Sequence, residues 1–182
     1  MRSLSRTMSG FTLLELMIVV AVLIIVMTVA VPNLREMIKN NRVTSQGNEL
    51  VAIINFARNE ALRRNDDVRV VFASDGFTWS AEVEDPAGAG VGDDVCEAGV
   101  LRCSSYDQVS VEFLTGGEEG QMQLVFNNRG YLTPFTDGEQ QIAMQHENCT
   151  GPLQRRILTI RPTGQLESCR AACDSSCDGD ES

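Results

Sequence analysis

A long apolar run near the N-terminus constrains this chain more than any other feature. Residues 11–31 are apolar apart from two threonines and one carboxylate, Glu15, and a short leader containing Arg2 and Arg6 precedes them. As a helix, the run is about 30 Å long, which is enough to cross the hydrocarbon core of a bilayer. A charge inside such a span costs on the order of a few kcal/mol unless it has a partner. The sequence therefore predicts a membrane-spanning segment in which Glu15 needs a cation.

Three ordinary interpretations of the apolar run assign no specific role to Glu15. A secretory signal peptide has a shorter apolar region and ends in a small-x-small cleavage site, which Thr28-Val29-Ala30 resembles only weakly. A simple membrane anchor fits the length, but the carboxylate is then only a favourable charge in the first turn of a helix. The third interpretation is an apolar core helix. None of the three requires a carboxylate at this position.

The residues around Glu15 form a specific motif. Gly10-Phe11-Thr12-Leu13-Leu14-Glu15, with the apolar stretch and Pro32 behind it, resembles the processing site of type IV prepilins and type II secretion pseudopilins. The resemblance implies that a prepilin peptidase and methyltransferase cuts after Gly10 and methylates the new N-terminus at Phe11. The terminal amine of a neighbouring subunit is then the cation that Glu15 needs among apolar helices. It also implies a single-pass inner-membrane protein with a periplasmic head, which later moves to the tip of a pilus or pseudopilus at the cell surface.

Six cysteines support export to an oxidising compartment. An even number of cysteines suits the periplasm, whereas cytosolic cysteines more often act as metal ligands or reactive thiols. Cys96 and Cys103 flank a short loop, and we expect them to form a disulfide. The other four cysteines are expected to form two more disulfides, in an order that the sequence leaves open: Cys149, Cys169, Cys173 and Cys177. A zinc site is the alternative for the last three, which would share one face of a helical tail.

The chain is acidic, and processing would make it more so. Its formal charge is −10, and removal of Arg2 and Arg6 leaves 13 basic and 25 acidic side chains, a balance of −12. Such a charge opposes unspecific attraction to phosphate. The acids gather in loops and in the last nine residues, which we interpret as solvated segments. A calcium site is the alternative interpretation, but no loop has the alternating oxygen ligands around a glycine that such a site uses, so we predict neither metal nor cofactor.

The segment after the span is predicted to be an amphipathic helix. Pro32 lacks a backbone donor and predicts a kink or a local loss of helix at the junction. Asn65-Asp66-Asp67 predicts the end of the helix. Apolar and small side chains recur at helical spacing between these points and form one stripe, which we expect to pack on the head: Val43, Gly47, Leu50, Ile54, Ala57 and Ala61.

The residues from Asn65 onward predict a β-rich head. Apolar and polar side chains alternate in residues 68–72 and 77–83, on either side of Ser74-Asp75-Gly76, which is typical of a β-hairpin with one buried face. About 118 residues are enough for one modest core. A long loop is predicted at 84–107, and further short strands are predicted at 109–114, 122–126, 141–145 and 157–161.

Three segments resemble the GspH/FimT group of pilin-like proteins. They are Ala57-Arg58-Asn59-Glu60-Ala61, Phe126-Asn127-Asn128-Arg129-Gly130 and Ile160-Arg161-Pro162-Thr163-Gly164. The resemblance implies an α+β fold in which a long N-terminal α-helix, with a transmembrane half and an amphipathic half, packs on two small antiparallel sheets. The chain then divides into a cleaved leader (1–10), two helix halves (11–31 and 32–64), a head (65–168) and a cysteine-bearing acidic tail (169–182).

A DNA-binding minor pilin is the alternative function. One branch of the group binds DNA for natural transformation through a Gly-Arg-x-Arg segment after the last strand, and this chain has Gly164-Gln165-Leu166-Glu167 there. Arg155, Arg156 and Arg161 are the candidate DNA-binding residues, and Arg170 could join them in a local basic patch. A few phosphate contacts on so acidic a protein would nevertheless be weak and steeply salt-dependent, so nucleic acid is not an expected partner.

The residues do not support an enzyme. His146 is the single histidine, and together with Glu147 it forms no recognisable arrangement of nucleophile and base. The resemblance instead implies a structural subunit, a minor pilin or pseudopilin that primes or caps assembly within a tip complex. The implied partners are other minor pilins or pseudopilins, the major subunit, the processing peptidase and inner-membrane lipid.

Overall fold

The computed structural model describes residues 11–76, 78–85, 96, 99–118, 120–133, 138–146, 149, 154–173 and 175–177. Several residues used in the predictions lie outside the described residues: the leader with Gly10, Phe77 of the predicted hairpin, Glu147, and Asp174 and 178–182 of the acidic tail. The chain divides into two units, Met1–Ile38 and Lys39–Ser182, and each is described by itself.

One helix, α1 (Leu13–Arg64), contains both predicted helical segments. It continues through Pro32, so the loss of helix considered at this residue does not occur; a proline removes only one backbone donor, and the neighbouring turns retain theirs. A kink at Pro32 stays a prediction. The helix ends where the sequence predicts, because Asn65 adopts a φ of 57° and the Asp66 N–H donates to the carbonyl of Ala61. This is a left-handed C-terminal cap.

Two antiparallel sheets follow the helix, which confirms the predicted α+β fold. The larger sheet has the strand order β3-β2-β1-β6-β5, and the smaller has the order β4-β7-β8-β9. The strands of the larger sheet are β1 (Val68–Ser74), β2 (Thr78–Glu84), β3 (Val100–Asp107), β5 (Gly117–Glu118) and β6 (Gln121–Phe126). Those of the smaller sheet are β4 (Ser110–Phe113), β7 (Gln140–Gln145), β8 (Arg155–Ile160) and β9 (Leu166–Ala171).

One apolar core joins the second half of α1 to both sheets. The predicted helix stripe is buried along its whole length. Alternate residues of β1 and β2 face it, as the hairpin pattern predicts, and Ile142 and Leu158 face it from the smaller sheet. Because the same helix face contacts both sheets, the head is built around residues 43–61 of α1.

The stretch 84–107 was predicted to be a loop, and this is wrong for Val100–Asp107, which forms β3. The alternation that reveals a strand is weak here, because Arg102 and Ser104 occupy inward positions opposite Val83 and Ala81. The strand is stabilised by pairing with β2 and by the disulfide from Cys103 to Cys96, and not by an alternating apolar face.

The predicted boundary between head and tail, at residues 168/169, falls inside a strand. Cys169 and Ala171 belong to β9, which pairs along its length with β8. The boundary and the helical tail considered for a zinc site are therefore wrong for these residues. Beneath this part of the chain, Ala143, Ile157 and Ala171 form a second, smaller apolar cluster on the outer face of the sheet. Burial of these side chains favours the strand over an open tail.

Candidate functional site

The first half of α1 has no apolar partner within the described chain. Every described side chain in residues 11–38 is exposed, including Phe11 at 86%. An 18-residue window of this helix has a mean hydropathy of 3.0, and none of that window is buried. A core helix buries its apolar side chains, so the described residues do not support the interpretation of this run as a core helix. The helix is long and apolar enough to cross a membrane.

Glu15 lies in the first turn of this helix, next to its cap. The backbone N–H of Glu15 donates to Oγ1 of Thr12 at 3.2 Å, so Thr12 is the N-cap and Glu15 is three residues beyond it. A carboxylate in this position is favoured by the partial positive charge of the helix N-terminus. The geometry places an exposed carboxylate within one turn of the predicted mature N-terminus at Phe11.

The three segments that resemble the GspH/FimT group meet at Arg58. Its guanidinium donates to the carbonyl of Gly130 at 3.1 Å, to that of Gly164 at 3.1 Å and to that of Thr163 at 3.4 Å. Gly130 follows β6 in the larger sheet, and Gly164 lies in the turn between β8 and β9 of the smaller one. One side chain of the helix therefore connects turns from both sheets.

The two glycines leave the space that this guanidinium occupies. Both have positive φ angles, 75° at Gly130 and 76° at Gly164. A Cβ added at Gly164 would lie 2.5 Å from the carbonyl oxygen of Gly130 and 2.9 Å from Nε of Arg58. Any other residue at Gly164 would strain its own backbone and push these groups apart. The arginine and the glycines of these segments thus have a structural explanation.

Glu60 forms a charged cluster with the last turn of the same helix. Its carboxylate binds Arg63 at 2.5 and 2.9 Å and Arg64 at 2.6 Å, and Arg64 also binds Asp85 at 2.5 Å. The hydrogen bonds from Arg63, together with those from Arg64, outweigh the effect of burial and lower the pKa of Glu60 to about 2 from its usual 4.5. The cluster ties the end of α1 to the residue that follows β2.

A buried amide links α1 to the edge of the larger sheet. Gln46 accepts a hydrogen bond from Nε1 of Trp79 at 2.7 Å and donates to the carbonyl of Asp107 at 2.9 Å. Tyr106 stacks on Trp79 with ring centroids 4.8 Å apart. Gln46 was not predicted as a functional residue, and Glu60 was named only as part of a recognised segment. A signal for both exists in the sequence, because they interrupt an apolar series at the spacing 43, 46, 50, 53, 57 and 60, which is one helix face.

Two of the three candidate DNA-binding arginines already have carboxylate partners. Arg155 is only 5% exposed and binds Glu112 at 2.9 Å on the outer face of the smaller sheet. Arg161 lies between Glu139 at 3.3 Å and Glu167 at 3.0 Å. A guanidinium that is neutralised within the chain contributes little to a phosphate-binding surface.

The third candidate, Arg156, points to the opposite face of the sheet. Its guanidinium donates to the carbonyl of Thr44 at 3.1 Å, to Oδ1 of Asn48 at 2.8 Å and to Oγ of Ser168 at 3.4 Å. Gly47 makes this approach possible, since a Cβ there would lie 2.9 Å from two atoms of the Arg156 side chain. The structure thus does not bring Arg155, Arg156 and Arg161 together as a patch, although Arg156 lies directly opposite Arg170 in the pairing of β8 with β9.

The cysteines form three disulfides. The predicted pair Cys96–Cys103 is present, and the others are Cys149–Cys173 and Cys169–Cys177. These pairings exclude the thiolates that a zinc site would need. In the part of the chain that the structure describes, no three His, Cys, Asp or Glu side chains come together as a group that could hold a metal.

The comparisons with known families match both parts of the chain. The family described as type II transport protein GspH matches residues 46–164, and the prokaryotic N-terminal methylation motif matches residues 5–31. No protein of curated function matches the sequence closely enough to count as a relative.

Two solved structures represent those that are similar to this chain. The type IV minor pilin FimU of Pseudomonas aeruginosa is 22% identical, with a TM-score of 0.48 over 69% of this chain and 90% of its own. The minor pseudopilin EpsH from the type 2 secretion system of Vibrio cholerae is 12% identical, with a TM-score of 0.49 over 73% of this chain and 98% of its own.

Proposed function

We propose that this chain is a minor subunit that primes or caps assembly of a type IV pilus or a secretion pseudopilus. The chain belongs to the GspH family of pilin-like type II transport proteins. The observation that carries the proposal is the first half of α1, which combines an N-terminal methylation motif with an apolar surface that no described residue of the chain covers. Such a surface needs either lipid or other apolar helices around it.

The proposed sequence of events follows from this surface. After export of the head to the periplasm, the helix holds the subunit in the inner membrane. On assembly it transfers into a bundle of subunit helices, where helix contacts replace lipid contacts with little net change in apolar burial. A tip complex with other minor pilins or pseudopilins is the place where this subunit acts, and its head selects those partners.

Glu15 is proposed to recruit and align the neighbouring subunit. A carboxylate that leaves the interface for an apolar bundle needs a cation, and the methylated amine at Phe11 of a neighbour supplies one. Because Phe11 and Glu15 are about one helical turn apart, the pair forms only when two helices are offset by roughly that distance along their axes. The contact would thus reject neighbours in the wrong axial position.

The test of this role is a pair of variants at two acidic residues of α1. We expect Glu15→Leu to be processed and retained in the membrane, but to be lost from the sheared filament or pseudopilus fraction and from complexes with other subunits. Glu36→Leu removes another exposed carboxylate of the same helix and serves as the control, with normal incorporation. Equal incorporation of both variants and the wild type would contradict the proposed role of Glu15.

A second experiment tests processing directly. Gly10→Val is expected to retain the leader of ten residues, which intact-mass spectrometry of the purified protein detects, while Ser9→Val is processed normally. A native protein that begins at Met1 or beyond Ala30 would overturn the assignment to a filament, because no methylated Phe11 would then exist.

A further inference from the structure

Two adjacent arginines on the last two strands of the smaller sheet bind no carboxylate within the described residues. Arg156 of β8 and Arg170 of β9 are directly opposite each other in the strand pairing, so both point toward the same face, which is the face that packs on α1. Arg170 is exposed, and one of its nitrogens lies 3.4 Å from Oγ1 of Thr44. All the acceptors that surround this pair within the described residues are neutral: the carbonyl of Thr44, two hydroxyls and the amide of Asn48.

This pair differs from most described arginines of the unit Lys39–Ser182. Six others bind at least one carboxylate: Arg63, Arg64, Arg69, Arg102, Arg155 and Arg161. Partial burial lowers the pKa of the Arg156 guanidinium, and the like charge of Arg170, which lies directly opposite it, lowers that pKa further. Like charges that are directly opposite on neighbouring strands destabilise a sheet, so an anion bound between these two arginines would offset their repulsion.

The first arginine of the pair is already oriented before an anion binds. The side chain of Arg156 lies in the space left by Gly47, and its hydrogen bonds to Thr44 and Asn48 fix the plane of the guanidinium. Orientation before binding reduces the entropy that is lost on association. Arg170 lies beside it on the edge strand β9, where a ligand has access. Two guanidinium groups in this arrangement suit a carboxylate, which accepts paired hydrogen bonds.

We propose that Arg156 and Arg170 bind an aspartate or glutamate side chain of a neighbouring pilin-like subunit. This inference rests on the proposed function, because it requires an assembly partner. A single carboxylate fits better than nucleic acid, since a duplex needs several cations along its backbone and meets a chain whose processed charge is −12. The site would add a specific contact between heads to the contacts between apolar helices.

The chain offers a direct chemical test. Lys39 is its single lysine, so Arg170→Lys places a new amine at the proposed site. A water-soluble carbodiimide activates a carboxylate as an O-acylisourea; an amine in contact attacks the acyl carbon, an amide forms and the reagent leaves as a urea. An arginine does not react in this way. The experiment treats native membranes that contain the full-length Arg170→Lys protein and maps the cross-linked peptides by mass spectrometry. Arg129→Lys, which places an amine at another exposed position, is the matched control.

We expect a cross-link from residue 170 to an aspartate or glutamate of a second polypeptide, and none from residue 129. Adding Arg156→Gln should lower its yield about threefold to tenfold, the loss expected when half of a paired, partly exposed charge contact is removed. A cross-link only within the same chain, equal yields at residues 129 and 170, or no cross-link in a variant that still enters the filament would overturn the inference. So would retention of duplex DNA that depends on both arginines.

Failure of this inference and failure of the proposed function give different results. If Arg170→Lys is processed and incorporated normally but yields no inter-subunit cross-link, the site is wrong and the role in assembly stands. If the wild-type chain is neither processed nor found with other subunits, the proposed function is wrong, and no result at residue 170 rescues it.

Discussion

Arg58 shows how one side chain can hold together parts of the head that are distant in sequence. Its two shortest hydrogen bonds to carbonyls join residues that are 72 and 106 positions apart. A charged donor to a carbonyl contributes more than a neutral one, about 1.5–3 kcal/mol. Because the partners are backbone atoms in turns of two sheets, the guanidinium stabilises the arrangement of the sheets on α1.

Arg58→Ala is therefore expected to reduce the free energy of unfolding by about 2–3 kcal/mol, since three carbonyl contacts are lost together. Trp79 is the single tryptophan and is buried in the core, so its fluorescence during denaturant unfolding of the full chain in detergent measures the effect. Arg129→Ala removes an exposed arginine and is the control, with a change of less than about 0.5 kcal/mol. Equal stabilities of the two variants would contradict this role.

Glu60 predicts a dependence of stability on pH. The pKa of its carboxyl is about 2 in the folded chain and 4.5 when unperturbed, so the stabilisation is complete above pH 4.5 and is lost as the pH falls toward 2. Thermal unfolding temperatures measured between pH 5 and 2 should fall more steeply in the wild type than in Glu60→Gln. A Gln variant with the same slope as the wild type would show that other groups dominate the acid range.

The sequence identified these residues without their roles. Arg58 and Glu60 belong to a segment recognised by resemblance, and the helix stripe around them was predicted correctly from its spacing. The carbonyls that Arg58 binds could not be predicted, because backbone atoms of distant turns leave no pattern in the sequence. Gln46 interrupts the apolar stripe at a visible position, but its role could not be predicted, because its partners Trp79 and Asp107 lie on other elements.

Among the elements, β9 departs most from what the sequence predicts. Its outward residues alternate only weakly, since Glu167 is exposed whereas Cys169 is half-buried and Ala171 is buried. The hairpin of β1 and β2 was predicted because burial of one face imposes a period of two on its residues. β9 lies at the edge of its sheet and is stabilised by pairing and by disulfides, which impose no such period.

The disulfide Cys149–Cys173 is expected to be the main covalent constraint on the end of the chain. It joins residues 24 positions apart, so its removal in the double variant Cys149→Ser, Cys173→Ser should cost about 3 kcal/mol of stability by the entropy of loop closure. Denaturant unfolding followed by Trp79 fluorescence measures this loss. The corresponding double variant of Cys96 and Cys103, which closes a much shorter loop, should lose less, and the reverse order would contradict the argument.

At the scale of the whole molecule, charge opposes nucleic acid as a partner. The full chain carries a formal charge of −10, and two of the three candidate DNA-binding arginines bind carboxylates of the same chain. We expect no retention of duplex DNA by the full-length protein at about 0.15 M salt. Electrophoretic mobility at low and moderate salt checks this. Micromolar binding that persists at moderate salt and is lost in Arg156→Gln would favour the alternative function.

The exposed half of α1 has one further consequence, which comes from its shape. A helix with a single apolar stripe can bury that stripe against one partner helix, whereas residues 11–31 are apolar on every side of the helix. A dimer of such helices would leave most of that apolar circumference exposed to water. The smallest assembly that could cover this apolar surface outside a membrane is a ring of several helices. An isolated pair of subunits is therefore expected to stay in the bilayer and to leave it only where a bundle of several helices has already formed.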